Sequence, residues 1–377
     1  MLLERSSEQE VLRDTTARFL ASEVPVDKIR CLRDDDAGFD LDLWRRGAEL
    51  GWTSLLAPEA SGGGAVSESG LADLSLLAHE FGAHAAPGPL AVTNVVAAAL
   101  GAAGDDTHAP VLESLLAGDA LASWCFAEPP PADGLGQVDL RCATDGGDVV
   151  LTGVKRPVES AAQAGHLLVT GRTGDGLTQV LVPADAAGLS IEPMRSLDLT
   201  RRFATVRFDK VRVPAGAVVG ELGGAAEQVE HQLRLAAVLA GADTVGAMQA
   251  AFDLTLRWTF DRYSFGRPLA SYQEIKHRVA DLLSWLEAAH AINDAAVVAV
   301  ASGSSDAARL VSAAKAFTGE YGSELAQDCV QLHGGIGLTF EHDLHLYLRR
   351  IALNRTLFGT PVEHRRRLAD LVEKERS

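Results

Sequence analysis

The stretch DRYSFGRPLASYQEIKHRVADLL, residues 261–283, decides how the rest of the chain is read. Ahead of it, Val238, Ala242, Val245, Met248, Phe252, Leu256 and Phe260 advance in steps of three and four, the spacing of one helix face. Phe265-Gly266 ends that helix and turns the chain tightly, and the chain reads as helical from about 225 to its end. Arg262 stands at the break. Its guanidinium is a planar fork that is always charged, a geometry suited to a pyrophosphate. Gln273 adds an amide able to hydrogen-bond a ribose or phosphate.

Working outward, QLHGGIG (331–337) sets Gln331 ahead of Gly334, Gly335 and Gly337, glycines expected to leave backbone N–H groups open to close approach by a cofactor. From about Trp124 to 220 the chain is β-rich: DVVLTGVK, HLLVTGRT, TQVLVPA, LSIEPM and FATVRFDKVRVP are separated by Gly, Asp and Pro. Within the last, Val206, Phe208 and Val211 nearly alternate with polar residues, as a half-buried strand requires. The first part is helical and rich in Ala and Leu. Ser6-Ser7-Glu8-Gln9 reads as a helix start, with Val11, Phe19 and Leu20 on the apolar stripe, and PEASGGGAVS (58–67) breaks the helices before LADLSLLAHEFGAHAA. The expected division is residues 1–121 helical, 122–222 β and 223–377 helical. Segregated blocks of this kind imply an α+β multidomain chain, not a doubly wound α/β sheet.

Composition narrows the function classes. The chain has 377 residues, 47% hydrophobic, enough for two or three domains. Its formal net charge of −17 is spread along the sequence and repels nucleic acid and anionic lipid, so neither is expected as a partner. Cys31, Cys125, Cys142 and Cys329 are scattered without a C-x-x-C pair; reduced thiols of a cytoplasmic protein and no metal site are expected. No unbroken apolar run approaches the ~18 residues of a membrane span, and MLLERSSEQEVL is charged too early for a signal peptide. HRRRL (364–368) reads as a solvated helix face.

The Arg-x-x-Phe-Gly…Gln segment, the later Gln-x-x-Gly-Gly-x-Gly segment and the N-terminal glycine break before LAHEFG, in this order around a β block, resemble the acyl-CoA dehydrogenase family over nearly the whole chain. The resemblance implies an N-terminal helical domain, a middle β-barrel or sandwich and a C-terminal four-helix bundle. It also implies FAD as cofactor and an acyl-CoA thioester as substrate. In that family FAD is held by two subunits: one supplies the β domain and the base, its neighbour the grip on the pyrophosphate and adenosine. Carried over, Arg262, Phe265, Gln273, Gln331, Gly334, Gly335, Gly337 and Thr360 face a partner's FAD.

The chain's own half departs from the pattern. The family's Thr-Glu-Pro-x-x-Gly-Ser-Asp loop is here CFAEPPPADG; Glu128 and Pro129 match, but Ala127 replaces the Thr and Asp133 the Ser. Its Lys-x-Trp-Ile-Thr run is here KRPVES, with Pro157 at the Trp and Glu159 at the Thr. A bare carboxylate ~4 Å from a pyrophosphate costs on the order of 1–4 kcal/mol, so a weakened flavin site is expected.

The family's base is a Glu at one of two places, and an ungapped count reaches Phe358 before Gly359-Thr360 for one and Ala236 for the other. Neither takes a proton. Asp243, about 10 Å further along the helix face of Ala236, Glu363 and Glu341 are the available substitutes. Three readings follow. In the first, the chain resembles the non-catalytic subunit of an actinobacterial heterotetrameric (α2β2) acyl-CoA dehydrogenase of fatty-acid or steroid side-chain β-oxidation, completing the FAD site of a homologous partner. In the second it is a self-sufficient homotetramer with a relocated base; in the third, a flavin-free CoA-binding or scaffold protein. Ala236, Ala237, Ala240, Gly241 and Ala242 form a small helix face that suits either a wide substrate cleft or close helix packing. Trp258 and Trp285 read as core or interface residues.

Overall fold

The computed structural model describes residues 5–129, 135–174 and 176–376, leaving out the side chains of the last two. Six helices come first: α1 (Ser7–Glu23), α2 (Val26–Cys31), α3 (Leu41–Glu49), α4 (Gly70–Ala83), α5 (Leu90–Ala103) and α6 (Ala109–Leu116). Eight strands follow: β1 (Ala122–Cys125), β2 (Arg141–Asp145), β3 (Asp148–Glu159), β4 (His166–Thr173), β5 (Gly176–Pro183), β6 (Leu189–Met194), β7 (Phe203–Pro214) and β8 (Val218–Val219). The remainder is α7 (Ala226–Asp261), the short strands β9 (Tyr263–Ser264) and β10 (Arg267–Pro268), then α8 (Gln273–Ala301), α9 (Ala307–His333), α10 (Leu344–Asn354) and α11 (Pro361–Arg376). The helix–strand–helix order is the one expected.

Two compact units result, and they cut across that order. One holds the described residues up to Arg30, Ser75–Ala86 and everything from Ala237; the other holds Cys31–Leu74 and Pro87–Ala236. The division falls inside α4 and α7.

In the second unit the strands form one mixed sheet, β6-β7-β3-β2-β4-β5-β8, with β1 parallel to β4. Val149, Leu151, Val169, Val180, Val182, Val206 and Val211 point into its core, each at most 1% exposed. The imperfect alternation at Val206, Phe208 and Val211 has a local cause. Lys210 adopts a φ of 52°, and the β3–β7 register shifts between Leu151 and Gly153, a bulge that inserts a residue into β7.

The first unit is all helix apart from the β9–β10 hairpin, with α9 packed on α8, α10 and α11. The N-terminal motif is a capping box: the Ser6 N–H donates to Gln9 Oε1 at 3.1 Å and the Gln9 N–H to Ser6 Oγ at 3.3 Å. The stripe on α1 is not the expected one. Val11 is 65% exposed, and Leu12, Thr16 and Leu20, spaced four apart, are buried. Along α7, Val238, Ala242, Val245, Met248 and Phe252 are buried as the spacing requires. The face then surfaces: Phe260 is exposed and, with Leu256, Ile275, Val279 and Leu283, lines an open apolar groove of ≈ 570 Å³. By length and composition α7 is the one described helix that passes for a membrane span, which a search for unbroken apolar runs overlooks; 89% of its apolar window is buried, as in a core helix.

The small face of α7 is used for close packing. A Cβ on Gly246 would sit 1.9 Å from His79 O, and one on Gly82 of α4 would sit 1.9 Å from Asp243 O. The two backbones touch where no side chain fits, which accounts for these glycines without a wide cleft.

One buried cation lends itself to a pH test. Lys315 on α9 is 2% exposed and donates from Nζ to Asn354 O at 2.6 Å; burial pushes its pKa down to about 7. An unfolded lysine titrates near ~10.4, so between these values the unfolded chain holds the extra proton and stability rises with pH. The buried thiols, with pKa values raised by burial, act in the opposite direction at alkaline pH, so the comparison must be with a variant. Lys315→Met should gain most on wild type at or below pH 7, and that advantage should shrink by a few kcal/mol as pH approaches ~10. Denaturant midpoints across this range measure it; a constant difference would mean that the buried amine does not titrate there.

Candidate functional site

In the helical unit, β9 and β10 pair antiparallel around a two-residue turn, with Phe265 at φ 48° and Gly266 at φ 77°. Such a hairpin calls for positive φ at both central positions and favours Asn-Gly. Phenylalanine there is strained by about 1–2 kcal/mol, and its ring is 97% exposed, so it stabilises little in its own unit. The expectation that Phe265-Gly266 turns the chain holds, although the helix has already ended at Asp261.

Two arginines flank this turn, and they differ. Arg267 lies over the Tyr272 ring at 3.8 Å, and Tyr272 Oη donates to Ser264 O at 2.8 Å. Arg262 is exposed and forms no ion pair among the described residues; its guanidinium lies 5.9 Å from the Trp258 ring. Trp258 stacks on His333 with centroids 5.3 Å apart and planes 18° apart. His333 is the last residue of α9, and Gly334 follows it. The two glycine-bearing segments singled out in the sequence are thus brought together through an indole and an imidazole. Sequence reasoning missed this bridge, although Trp258 stands one helical turn before Arg262.

The glycines divide. Gly334 has φ 68° and ψ −144°, a conformation reserved for glycine, and a Cβ built on Gly334 or Gly335 would meet nothing within 4 Å. A ligand can approach their backbone closely, although the Gly334 N–H is already donated to the Gln331 and Val330 carbonyls. Gly337 is buried, and a Cβ there would lie 2.8 Å from His333 Cβ and 2.9 Å from Val330 O. Its lack of a side chain is required by the chain's own packing. Gln273 and Gln331 are exposed. Thr360 is taken up locally: its N–H and hydroxyl donate to Glu363 Oε2 at 2.8 and 2.7 Å, capping α11.

The two positions expected for a base carry no titratable side chain. Phe358 holds φ 56° before Gly359 at 106°, and its carbonyl accepts from His364 Nε2 at 3.0 Å. Burial pushes the His364 pKa down to about 4, so the ring is neutral at pH 7. Ala236 is fully buried. The substitutes are committed elsewhere. Asp243 is held by Arg350 (Nη1–Oδ2 2.9 Å) and Asn354 (Nδ2–Oδ1 2.6 Å), and Glu363 by the α11 cap. Glu341 is exposed, and its own backbone N–H, the Thr339 hydroxyl and Arg30 lower its pKa, which weakens it as a base.

In the sheet unit, the matching Glu128 is an anchor. It accepts from Lys155 Nζ at 2.6 Å, Leu140 N at 3.0 Å and Asp139 N at 2.8 Å. Lys155 is fully buried, and also donates to Phe126 O at 3.0 Å. Burial lowers the Lys155 pKa while Glu128 opposes that shift. The Ala127 carbonyl accepts the Arg156 N–H at 2.8 Å, and Pro157 is exposed. Asp133 lies outside the described residues. Glu159 corrects an expectation: its carboxylate is not a bare charge. It is 5% exposed and gripped at both oxygens by Arg201, with Nη2 2.7 Å from Oε2. The pair is neutral overall, so the repulsion expected of Glu159 does not arise. It still offers no hydroxyl.

Residues 6–119 match the family model described as acyl-CoA dehydrogenase, N-terminal domain, and residues 226–372 the model described as acyl-CoA dehydrogenase, C-terminal domain. The chain is 30% identical over 365 residues to acyl-CoA dehydrogenase IpdE2 of Mycolicibacterium smegmatis, covering 96% of this chain and 98% of that one. Among solved structures, a variant of the Tcur3481–Tcur3483 steroid ACAD superposes with a TM-score of 0.88 at 27% identity, covering 98% of each chain. Butyryl-CoA dehydrogenase from Megasphaera elsdenii superposes with a TM-score of 0.88 at 20% identity, over 99% of this chain and 100% of that one, a likeness of fold.

Proposed function

This chain belongs to the acyl-CoA dehydrogenase family, a FAD-dependent family, and from that premise we propose that it is a subunit that lacks its own base and completes the FAD site of a homologous partner. The observation that carries this is an asymmetry. An Arg262 with no ion pair among the described residues, an exposed, strained Phe265 and the sterically open backbone of Gly334 and Gly335 fit the phosphate and adenosine end of FAD. The base position keeps a strained backbone at Phe358 with no proton acceptor on it, and Asp243 and Glu363 are consumed by structural contacts.

FAD, when bound, supplies the hydride acceptor for oxidising the bond between the carbons α and β to the thioester. The partner supplies the base that takes the α proton. This chain's part is electrostatic and positional: Arg262 offsets phosphate charge, and Gly334 and Gly335 let a ligand approach the backbone without steric cost. The steroid ACAD among the solved structures carries a paired name, which supports both an α2β2 assembly and a steroid-derived acyl-CoA as substrate. A cytoplasmic location accords with this chemistry.

Co-expression with homologous dehydrogenase chains, followed by flavin counting in the purified complex, tests the proposal. One flavin per two chains is expected. A full flavin complement with dehydrogenase activity in this chain alone would sink it. Phe358→Glu restores a carboxylate to the base position but neither the hydroxyl missing at Ala127 nor the ring missing at Pro157. That variant alone should show no acyl-CoA oxidation above wild type; an active homo-oligomer would show that the chain's own flavin site is intact.

A further inference from the structure

We propose that Trp258 is a positioning residue for Arg262 and that His333 fixes Trp258 in turn, so that the guanidinium and the Gly334–Gly335 backbone are set as one unit for a dinucleotide phosphate. The inference rests on the reading of this face as the FAD grip and adds how the grip is held.

An exposed arginine without an ion pair loses side-chain entropy when a ligand immobilises it. Preorganisation lowers that cost. The Arg262 N–H closes the last turn of α7 on Trp258 O at 2.9 Å, which places the two residues on one helix face. The guanidinium then lies 5.9 Å from the indole centroid, at the outer reach of a cation–π attraction that strengthens when a ligand desolvates it.

The indole is itself fixed. It stacks on His333 at 5.3 Å and meets His342 edge-on at 6.2 Å, and the two imidazoles lie 4.5 Å apart. His333 Nδ1 donates to Cys329 O at 2.8 Å, which defines its tautomer. Burial also lowers the His333 pKa, keeping a second cation away from the rings beneath Arg262. Because His333 ends α9 and Gly334 follows directly, a shift of the indole is passed to the glycine backbone. Neither ring need touch the ligand.

The test is FAD rebinding to the flavin-stripped complex of this chain with its co-expressed homologous partner, followed by fluorescence anisotropy with ADP as competitor. Arg262→Ala should weaken FAD at least tenfold. Trp258→Leu should weaken it about three- to tenfold, while Trp258→Phe, which keeps a π face, should stay within about twofold of wild type. Trp258→Leu binding as wild type does, with Arg262→Ala impaired, overturns the positioning role and leaves the grip standing. Trp258→Phe failing as badly as Trp258→Leu assigns the indole to packing and also overturns it. Arg262→Ala binding normally, or no ADP-competed FAD binding by the wild-type complex, overturns the grip on which the inference rests.

Discussion

Arg262→Ala in the assembled complex should strip the flavin carried by the partner, with the ratio of flavin to protein after gel filtration falling to near zero. The size follows from the chemistry. A hydrogen bond to a charged group is worth about 1.5–3 kcal/mol net, and a guanidinium donates two in parallel to a phosphate. Even one such contact amounts to at least tenfold in affinity, and two bring the loss to hundredfold or more. Arg262 has no ion pair among the described residues, so its removal leaves no carboxylate stranded and the fold should be unaffected. Arg262→Lys should recover only part, since an ammonium is a point charge without the planar fork. Flavin retained at wild-type ratio in Arg262→Ala would remove the principal support for the complementing-subunit reading.

Much of the fold was legible because the local signals agreed with one another. The strand runs from DVVLTGVK to FATVRFDKVRVP reappear as β3 to β7, and Ser6-x-x-Gln9 as a capping box, since alternation and capping are set by neighbours in sequence. Val11 was misread on α1 because three- and four-step spacing fits more than one phase, and only tertiary packing chooses Leu12, Thr16 and Leu20. On α7 the spacing was right through Phe252, but nothing in a periodicity says where a helix face leaves the core, and Phe260 is exposed.

The site divides in the same way. The absence of a proton acceptor at Phe358 and Ala236 needs no structure to be seen. Whether a remaining carboxylate is free does need one, because its partner is remote in sequence. Glu159 meets Arg201 42 residues away and Asp243 meets Arg350 107 residues away. Trp258 and His333 were hidden for the same reason, as was the crowding of Gly337 by Val330 and His333.

Arg350→Met should lower the stability of the helical unit by about 3–5 kcal/mol, which corresponds to a fall in melting temperature on the order of 10 °C. Arg350 is 1% exposed; it donates to Asp243 Oδ2 at 2.9 Å and to Ala86 O at 2.8 Å, and Asn354 holds the other Asp243 oxygen. Methionine fills similar space but leaves Asp243 with a buried, uncompensated charge, which costs far more than the pair was worth. The double variant Asp243→Asn/Arg350→Met removes that charge as well and should regain most of the loss. Asn354 ties this cluster to the chain just ahead of Phe358, because its own carbonyl accepts from Lys315. The same substitutions also decide what Asp243 is for. As a relocated base, it would give an Asp243→Asn chain that folds normally and loses all turnover. As the counterion of Arg350, it gives one that melts early because the guanidinium is left buried and unpaired, while partner-dependent turnover per folded complex is retained below the melting range. Unchanged melting together with abolished turnover would reinstate the self-sufficient enzyme.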